Sequence, residues 1–545
     1  MKARPILLPI LAGLFTGTSY IPFPPWAILF CFAPLLVVWF ETARSADPTS
    51  YRQSIKTVFF YGWLTQFILN LIGFHWIAYT AVEFGHFPIW AGALVLLAFA
   101  ALAHLYIPLS GAVATALVFA FKKRGRVNAL ERPWLFIALA TSVFATISNV
   151  INVDALWPSI FPWHLGYTWL WAGLPGAQAA DLIGFEGLNL VTLLANALIA
   201  IGWIKAREAK SLRPSLPWVA GAIALFLVVN VAGLGRDTKW KGGDRTVNFV
   251  AVQGNIGNFE KLIAEKNKDF AQPIVQKYIE LTAQAFTEHP EATFAIWPET
   301  AFADFLDSMF DGQYNSVVLR NFVQVQKRSI LTGAYSYAPE RKQTFNGFFA
   351  VGPDGTPLAP PYRKSILIPF GEKFPFSDVI PYMKWLFPGL GSFGQGPGPS
   401  VMALPEFKLG PQVCLESLYP EFAAKTARNG AEILSNVTND SWFGRTFEPY
   451  QHMIMTAARA VENRRPLIRS TNTGITTVIQ ADGKLLEQSP IDKEWYGFYQ
   501  LSFQSNPEIA PYSRIAGYSA WFALILTLIF LILANRRDVL QSPKS

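Results

Sequence analysis

Cysteine, charge and histidine are all scarce in this chain. Two cysteines among 545 residues exclude a disulfide scaffold, and 52% hydrophobic against 15% charged residues excludes disorder and an ordinary soluble composition. No repeat of 20–50 residues is visible, which excludes a solenoid or fibrous array. The glycine-rich stretch 388–400 (PGLGSFGQGPGPS) is not followed by Gly-Lys-Ser/Thr, so it is no Walker phosphate loop. His, Cys and carboxylates fall at no familiar metal-ligand spacing. The net charge of +8 would suit a nucleic-acid binder, but its position argues otherwise. Residues 236–515 hold 28 basic and 28 acidic residues, leaving 17 basic and 9 acidic in the apolar remainder. A basic excess inside apolar sequence reports orientation in a membrane.

What is present fits that reading. Crossing a bilayer core takes about 20 predominantly apolar residues. Eight segments qualify, roughly 5–20, 24–41, 57–80, 88–121, 132–149, 184–204, 216–234 and 516–534. The fourth is long enough for a tilted span or for two re-entrant halves. The first has Lys2 and Arg4 ahead of it, as a signal peptide would, but further spans follow closely and it is read as retained. Lys and Arg gather at the termini and at the even-numbered connections, near 44–56, 122–132 and 205–213, and are absent from 21–23, 81–87 and 150–183. The positive-inside rule then predicts cytoplasmic termini, with 236–515 on the opposite face. Connection 150–183 carries Trp157, Trp163, Trp169 and Trp171, read as an interfacial aromatic belt, with a wall or entry for lipid as the alternative. Asp154, Asp181 and Glu186 read as capping or interfacially solvated residues.

Residues 236–515 are enough for one sizeable core. Strand-like runs fall at 247–253, 293–297, 329–335, 345–351, 407–413, 431–437 and 474–480. Helical periodicity falls near 262–287, 314–327, 420–429 and 449–463. Asp354-Gly355 and Asp482-Gly483 read as hairpin turns. The alternation predicts an α/β sandwich of mixed sheets. The 388–400 stretch reads as a flexible surface loop or a lid. Tyr382, Trp385, Leu386 and Phe387 form an apolar cluster suited to a bilayer surface or to the core.

Cys31 lies inside the second apolar segment and reads as a small hydrophobe. Cys414 follows the run FKLGPQV, at a strand end where α/β folds hold their ligands; a buried structural thiol is the plainer alternative. A thiol of pKa about 8.5 needs help to become a thiolate. His289 and His452, the histidines of this region, lack an evident Asn/Asp-oriented dyad, so papain-like chemistry stands only as an alternative. Glu299 projects from a strand end in Trp297-Pro298-Glu299, and Lys364 and Glu372 lie eight residues apart in YRKSILIPFGE. Each alone reads as a surface ion-pair member. With Cys414 they make a set.

That set resembles the Glu-Lys-Cys triad of the nitrilase, or carbon–nitrogen hydrolase, superfamily. WPE at 297–299, YRKSILIPFGE at 362–372, VCLE at 413–416, NDSWFG at 439–444, RPLIRSTNTGITTVI at 465–479 and VQGNI at 252–256 resemble, within it, the bacterial apolipoprotein N-acyltransferase family. The resemblance implies a membrane α-helical bundle of about eight spans and a nitrilase-like α-β-β-α sandwich, placed before the last span on the periplasmic face of the inner membrane. It implies Cys414 as nucleophile, Glu299 as general base and Lys364 as oxyanion stabiliser. Glu372 would hold Lys364 or share proton duty with Glu299, and Glu416 matches another supporting position. Asn346 and Trp442 sit in matching motifs, with turn hydrogen bonding and core packing as their plainer readings. Leu415 stands where the family commonly has an aromatic. No cofactor, metal or nucleic acid is implied. The partners are the membrane, a phospholipid acyl donor and a diacylglyceryl-apolipoprotein acceptor, joined through a thioester on Cys414. A membrane-tethered amidase or nitrilase using water is the alternative. A transporter would show mid-span charges and internal symmetry, and neither is visible.

Overall fold

The computed structural model describes residues 5–83, 85, 87–124, 130–153, 161–237, 242–257, 260, 270–368, 372 and 393–535. The chain divides into two units, one of Met1–Val82, Phe87–Arg236 and Gly517–Ser545, the other of Glu83–His86 and Asp237–Ala516.

The first unit is helical. Among the described residues, five stretches are long and apolar enough to cross a membrane: Pro48–Gly73, Ile89–Lys123, Pro133–Val150, Pro175–Ala209 and Arg213–Arg236. Eight were expected from the sequence. Two of the other candidates form the shorter apolar helices Leu7–Gly17 and Ser519–Asn535. The third, 24–41, is an α-helix only over Ala33–Arg44. There the Asn196 side chain takes over backbone partners: the Phe32 N–H donates to its Oδ1 at 2.7 Å, and its Nδ2 donates to the Ile28 carbonyl at 2.7 Å. An apolar setting tolerates a broken helix when a neighbour supplies the missing bonds. The 88–121 segment is two helices, Ile89–Leu102 and Tyr106–Lys123. At the break, buried His104 brings Nδ1 to 2.6 Å from Asn70 Oδ1.

Polar and aromatic groups in this unit are more deeply engaged than expected. Asp181, read as a capping or solvated residue, is fully buried and accepts Arg236 Nε at 3.0 and 3.1 Å. Removing Arg236 would leave the buried Asp181 charge unpaired by it. Trp163 and Trp169, read as belt residues, are buried instead. Trp163 packs edge-on against Tyr20 and His104, and Trp169 donates to Thr192 Oγ1 at 2.8 Å. Asp154 and Trp157 lie outside the described residues, as do Tyr382, Trp385, Leu386 and Phe387.

The second unit holds thirteen described strands: β1 (Arg245–Gln253), β2 (Phe294–Ile296), β3 (Phe302–Phe305), β4 (Ser329–Ala338), β5 (Gln343–Val351), β6 (Tyr362–Arg363), β7 (Met402–Ala403), β8 (Lys408–Val413), β9 (Ile433–Thr438), β10 (Leu467–Thr471), β11 (Thr477–Ile479), β12 (Leu485–Gln488) and β13 (Trp495–Phe503). One sheet has the order β13-β1-β2-β4-β5-β6 with β3 also on β4, and the other has the order β12-β11-β10-β9-β8-β7. In each, a parallel centre (β1-β2-β4 and β8-β9-β10) is flanked by antiparallel strands. Strands β1, β2 and β4 are largely apolar, as burial on both faces requires, whereas β9 and β10 bury the polar residues Ser435, Asn436, Thr438, Arg469, Ser470 and Thr471.

The sheets face one another, with β1 against β10 and β5 against β8. Helices Ala271–Glu288 and Tyr314–Gln326 pack on the first sheet through Ile274, Tyr278, Leu319 and Val323. Pro420–Arg428 and Glu448–Asn463 pack on the second. The expected α-β-β-α layering is therefore present. Both Asp-Gly pairs make tight turns, with Gly355 at φ +84° and Gly483 at φ +86°, where a Cβ would be strained. The described part of the 388–400 stretch is tied down by two backbone hydrogen bonds. Gly394 N–H donates to Thr344 O at 2.7 Å and Gly396 N–H to Lys364 O at 2.8 Å, fastening it to the first sheet.

Candidate active site

Strand ends of the two sheets deliver the candidate residues. After β2, Trp297 N–H still donates to Leu331 O at 2.8 Å, and Pro298 then has no N–H with which to continue the ladder. The chain turns there and Glu299 leaves the sheet. Gly333 on β4 makes this approach possible: a Cβ at that position would stand 2.5 Å from Thr300 N and 2.7 Å from Glu299 Cα. Lys364 follows β6, its N–H donating to Asn346 O at 2.8 Å. Cys414 follows β8 and opens the short 3-10 turn Cys414–Leu418 with φ +55°. That left-handed backbone costs a non-glycine residue about 1–3 kcal/mol, so the surroundings must hold it in place.

Lys364 is fully buried between two carboxyl groups, with Nζ 3.1 Å from Glu299 Oε1 and 2.8 Å from Glu372 Oε1. Asn346 Nδ2 donates to the same two atoms at 2.7 and 3.3 Å. Backbone donors take the other oxygens: Asn439 N–H reaches Glu299 Oε2 at 3.0 Å, and Ile368 N–H reaches Glu372 Oε2 at 3.0 Å. Asn346 is thus a member of the cluster rather than a turn residue. Trp442 is half-buried on the Asp440–Trp442 turn that follows Asn439, so it is not the fully packed core residue of the plainer reading.

The charges shape the chemistry. Burial alone would pull Lys364 down, but Glu299 and Glu372 outweigh it and hold the ammonium well above the ordinary lysine range. Burial pushes the Cys414 thiol well up and Glu299 adds to this, against the pull of Lys364. Burial and the nearby carboxylates thus favour the protonated thiol, while the Lys364 charge favours the thiolate.

Glu416 is a clamp. It accepts hydrogen bonds from Tyr362 OH at 2.7 and 2.8 Å, Ser365 N–H at 2.7 Å, Ser365 Oγ at 3.0 Å, Ile366 N–H at 3.1 Å and Val413 N–H at 2.8 Å. It ties the segment carrying Lys364 to the turn carrying Cys414. Burial raises its pKa although these donors oppose the rise. Leu415 is buried beside Cys414.

Sequence reasoning missed one cluster. His452, which showed no orienting partner, has Nδ1 3.3 Å from Asp440 Oδ1 and 3.4 Å from Glu448 Oε1. Donor atoms of Asp440, Glu448 and His452 lie within 4.8 Å of one another, a grouping that could hold a metal ion. The i,i+4 spacing of Glu448 and His452 was the available signal; Asp440 is contributed by the fold. The residues do not fit a cation, because the Arg469 guanidinium already occupies Asp440, Nη2 donating to Oδ2 at 2.7 Å. Nor does His452 supply Cys-His chemistry. Its Nε2 lies 3.4 Å from Ser417 Oγ, which donates to the Cys414 carbonyl at 3.2 Å, so it supports the backbone of the turn.

Comparison with known proteins follows the same division. Residues 251–505 match the carbon-nitrogen hydrolase family, and residues 12–198 match the apolipoprotein N-acyltransferase N-terminal domain. The chain is 41% identical over 537 residues to the apolipoprotein N-acyltransferase of Bdellovibrio bacteriovorus, covering 97% of this chain and 93% of that one. It is 27% identical over 544 residues to that of Geobacter metallireducens, covering 98% and 96%. Among solved structures, Saccharomyces cerevisiae Nit3, a member of branch 10 of the nitrilase superfamily, is similar with a TM-score of 0.36 and 17% identity, over 50% of this chain and 94% of that chain. The helical unit is a multi-span membrane region, matched along most of its length by the N-terminal domain. A relative this similar over nearly the full length of both proteins decides the matter: the chain belongs to the apolipoprotein N-acyltransferase family.

Proposed function

We propose that this protein is a phospholipid:apolipoprotein N-acyltransferase, moving an acyl chain from a membrane phospholipid through a Cys414 thioester to the α-amino group of an S-diacylglyceryl cysteine. The observation that carries the reading is Lys364 buried between Glu299 and Glu372, with its charge acting on Cys414. In the first step Glu299 takes the thiol proton and the thiolate attacks the ester carbonyl. Lys364 faces the developing oxyanion, a contact worth about 10²–10³ in rate. Collapse expels the lysophospholipid oxygen, which recovers the proton from Glu299. In the second step the amine attacks the thioester, Glu299 takes its proton, and Cys414 leaves and is reprotonated. A thioester suits this sequence because it is reactive to amines yet tolerably stable to water.

The membrane unit supports this reading over the water-using amidase or nitrilase with the same triad, since both substrates are lipids. In this proposal 1–235 and 516–545 form the membrane part. The five long helices are completed by the three shorter segments to give eight, and 236–515 is the catalytic domain on the periplasmic face of the inner membrane. The asymmetry of Lys and Arg supports that orientation; a cytoplasmic signal from a reporter fused at residue 300 would overturn it.

The chemistry is tested with acyl-labelled phospholipid and no acceptor. Label should accumulate on the protein, be released by neutral hydroxylamine and be absent from Cys414→Ala. Adding a diacylglyceryl-cysteine peptide should then move it to the peptide amine. Label found only as free fatty acid would favour the hydrolase.

A further inference from the structure

A second buried polar network lies against Cys414, built from β9, β10 and the turn after β9. β9 runs parallel between β8 and β10, with Val413 opposite Val437, so Cys414 and Thr438 leave neighbouring strand ends side by side. The Thr438 hydroxyl donates to Asp440 Oδ1 at 3.1 Å, and it is one of the groups that lower the Cys414 thiol against the larger effect of burial. The next residue, Asn439, is the one whose N–H holds Glu299 Oε2 at 3.0 Å. Residues 438–440 thus bond Glu299 and stand at the strand end next to Cys414.

Asp440 locks that turn. Its Oδ2 accepts Arg469 Nη2 at 2.7 Å, Arg469 Nη1 also bonds Asn436 Oδ1, and Asn436 Nδ2 donates to the Cys414 carbonyl at 3.0 Å. Thr438, Asp440, Arg469 and Asn436 are all buried. Gly474 makes the room: a Cβ there would stand 2.1 Å from Asp440 Oδ2 and 2.8 Å from its Cγ. Burial opposes charge on Asp440, but Arg469 outweighs it and keeps the carboxyl below the usual range.

We propose that Thr438 is a further catalytic residue whose hydroxyl bonds the Cys414 sulfur as it becomes a thiolate, and that Asp440 and Arg469 are positioning residues that hold Thr438 and Asn439 in place. The inference rests on Cys414 being the nucleophile. The hydroxyl has one proton. With the thiol intact it is given to Asp440 Oδ1; once Glu299 has taken the thiol proton, the hydroxyl turns it to the sulfur. Asp440 then keeps Arg469, and the network neither gains nor loses a proton.

The test uses the full-length enzyme and single-turnover acylation by labelled phospholipid. Thr438→Val keeps the shape and removes the hydroxyl; a hydrogen bond to a charged group predicts a fall of about ten- to hundredfold in kcat with KM unchanged. Thr438→Ser should restore the rate. Asp440→Asn should lower kcat in the same way, and combined with Thr438→Val the losses should fall short of multiplying, since one acts through the other. The proposal is overturned if Thr438→Val matches wild type, if Thr438→Ser falls as far as Val, or if the combined losses multiply. Should Asp440→Asn not fold, the Thr438 pair decides. A wild-type enzyme that acquires no label on Cys414 would instead overturn the nucleophile, a separate and distinguishable failure.

Discussion

Replacing Glu299 by Gln should drive catalysis and thiol reactivity in opposite directions. Glu299 is one of the groups that push the Cys414 thiol up, while Lys364 pulls it down. Its carboxyl also neutralises Lys364 at 3.1 Å. In Glu299→Gln the repulsion disappears and Lys364 is left with Glu372 alone, so the thiolate becomes easier to form at equilibrium. A nearby like charge disfavours the ionised form, so the titration midpoint should fall. Acylation, in contrast, loses its proton acceptor and should slow by about 10²–10⁴. The assay is iodoacetamide labelling of Cys414 across pH in a Cys31→Ser background, beside acyl-adduct formation on the same samples. Faster labelling at neutral pH with slower acylation is the expected pair. Labelling that slows in parallel with acylation would refute the reasoning, because Glu299 would then be favouring the thiolate in the resting enzyme.

Other outcomes follow from the same geometry. The folded pKa of Lys364 is raised, so its contribution to stability is complete below the ordinary value of about 10.4 and is lost only as pH rises through the higher folded value. An amine-reactive reagent at pH 9 should therefore modify surface lysines and spare Lys364 by mass spectrometry; modification at Lys364 in the folded enzyme would count against its charge state. Glu416→Gln turns an acceptor of backbone and hydroxyl donors into one that presents its own N–H groups. It should lower stability by about 2–4 kcal/mol in a denaturant melt, and an unchanged melt would remove the clamp. Gly333→Ala places a methyl 2.7 Å from Glu299 Cα and should reduce acylation at least as much as it reduces stability; full activity would show that the Glu299 backbone is not confined there.

Much of this molecule was legible in one dimension because periodicity and apolar length survive without the fold. The parallel strands β1, β4, β8 and β9 and the helices Tyr314–Gln326 and Glu448–Asn463 lie close to the runs that announce them. β13 is equally regular, its Gly497, Tyr499, Leu501 and Phe503 buried in alternation with exposed Gln500 and Ser502, but Gly497 and the polar Gln500 and Ser502 dilute its apolar signal. β10 was not readable. Its LIRST sequence is half polar, and every residue in it is buried: Arg469 meets Asp440 just past the end of neighbouring β9, and Thr471 meets Gln253 across the sandwich.

The sequence by itself determined the two-part organisation, the approximate strands and helices, and a short set of residues, Glu299, Lys364, Glu372, Cys414 and Glu416, joined by resemblance rather than by spacing. How those residues contact one another came from the fold. A polar side chain carries no mark of its eventual burial, and the partners that make burial tolerable come from far along the chain. Asn196 completes the backbone near residue 30, Arg236 neutralises Asp181, Glu416 fastens the Lys364 segment to the Cys414 turn, and Asp440 waits on Arg469.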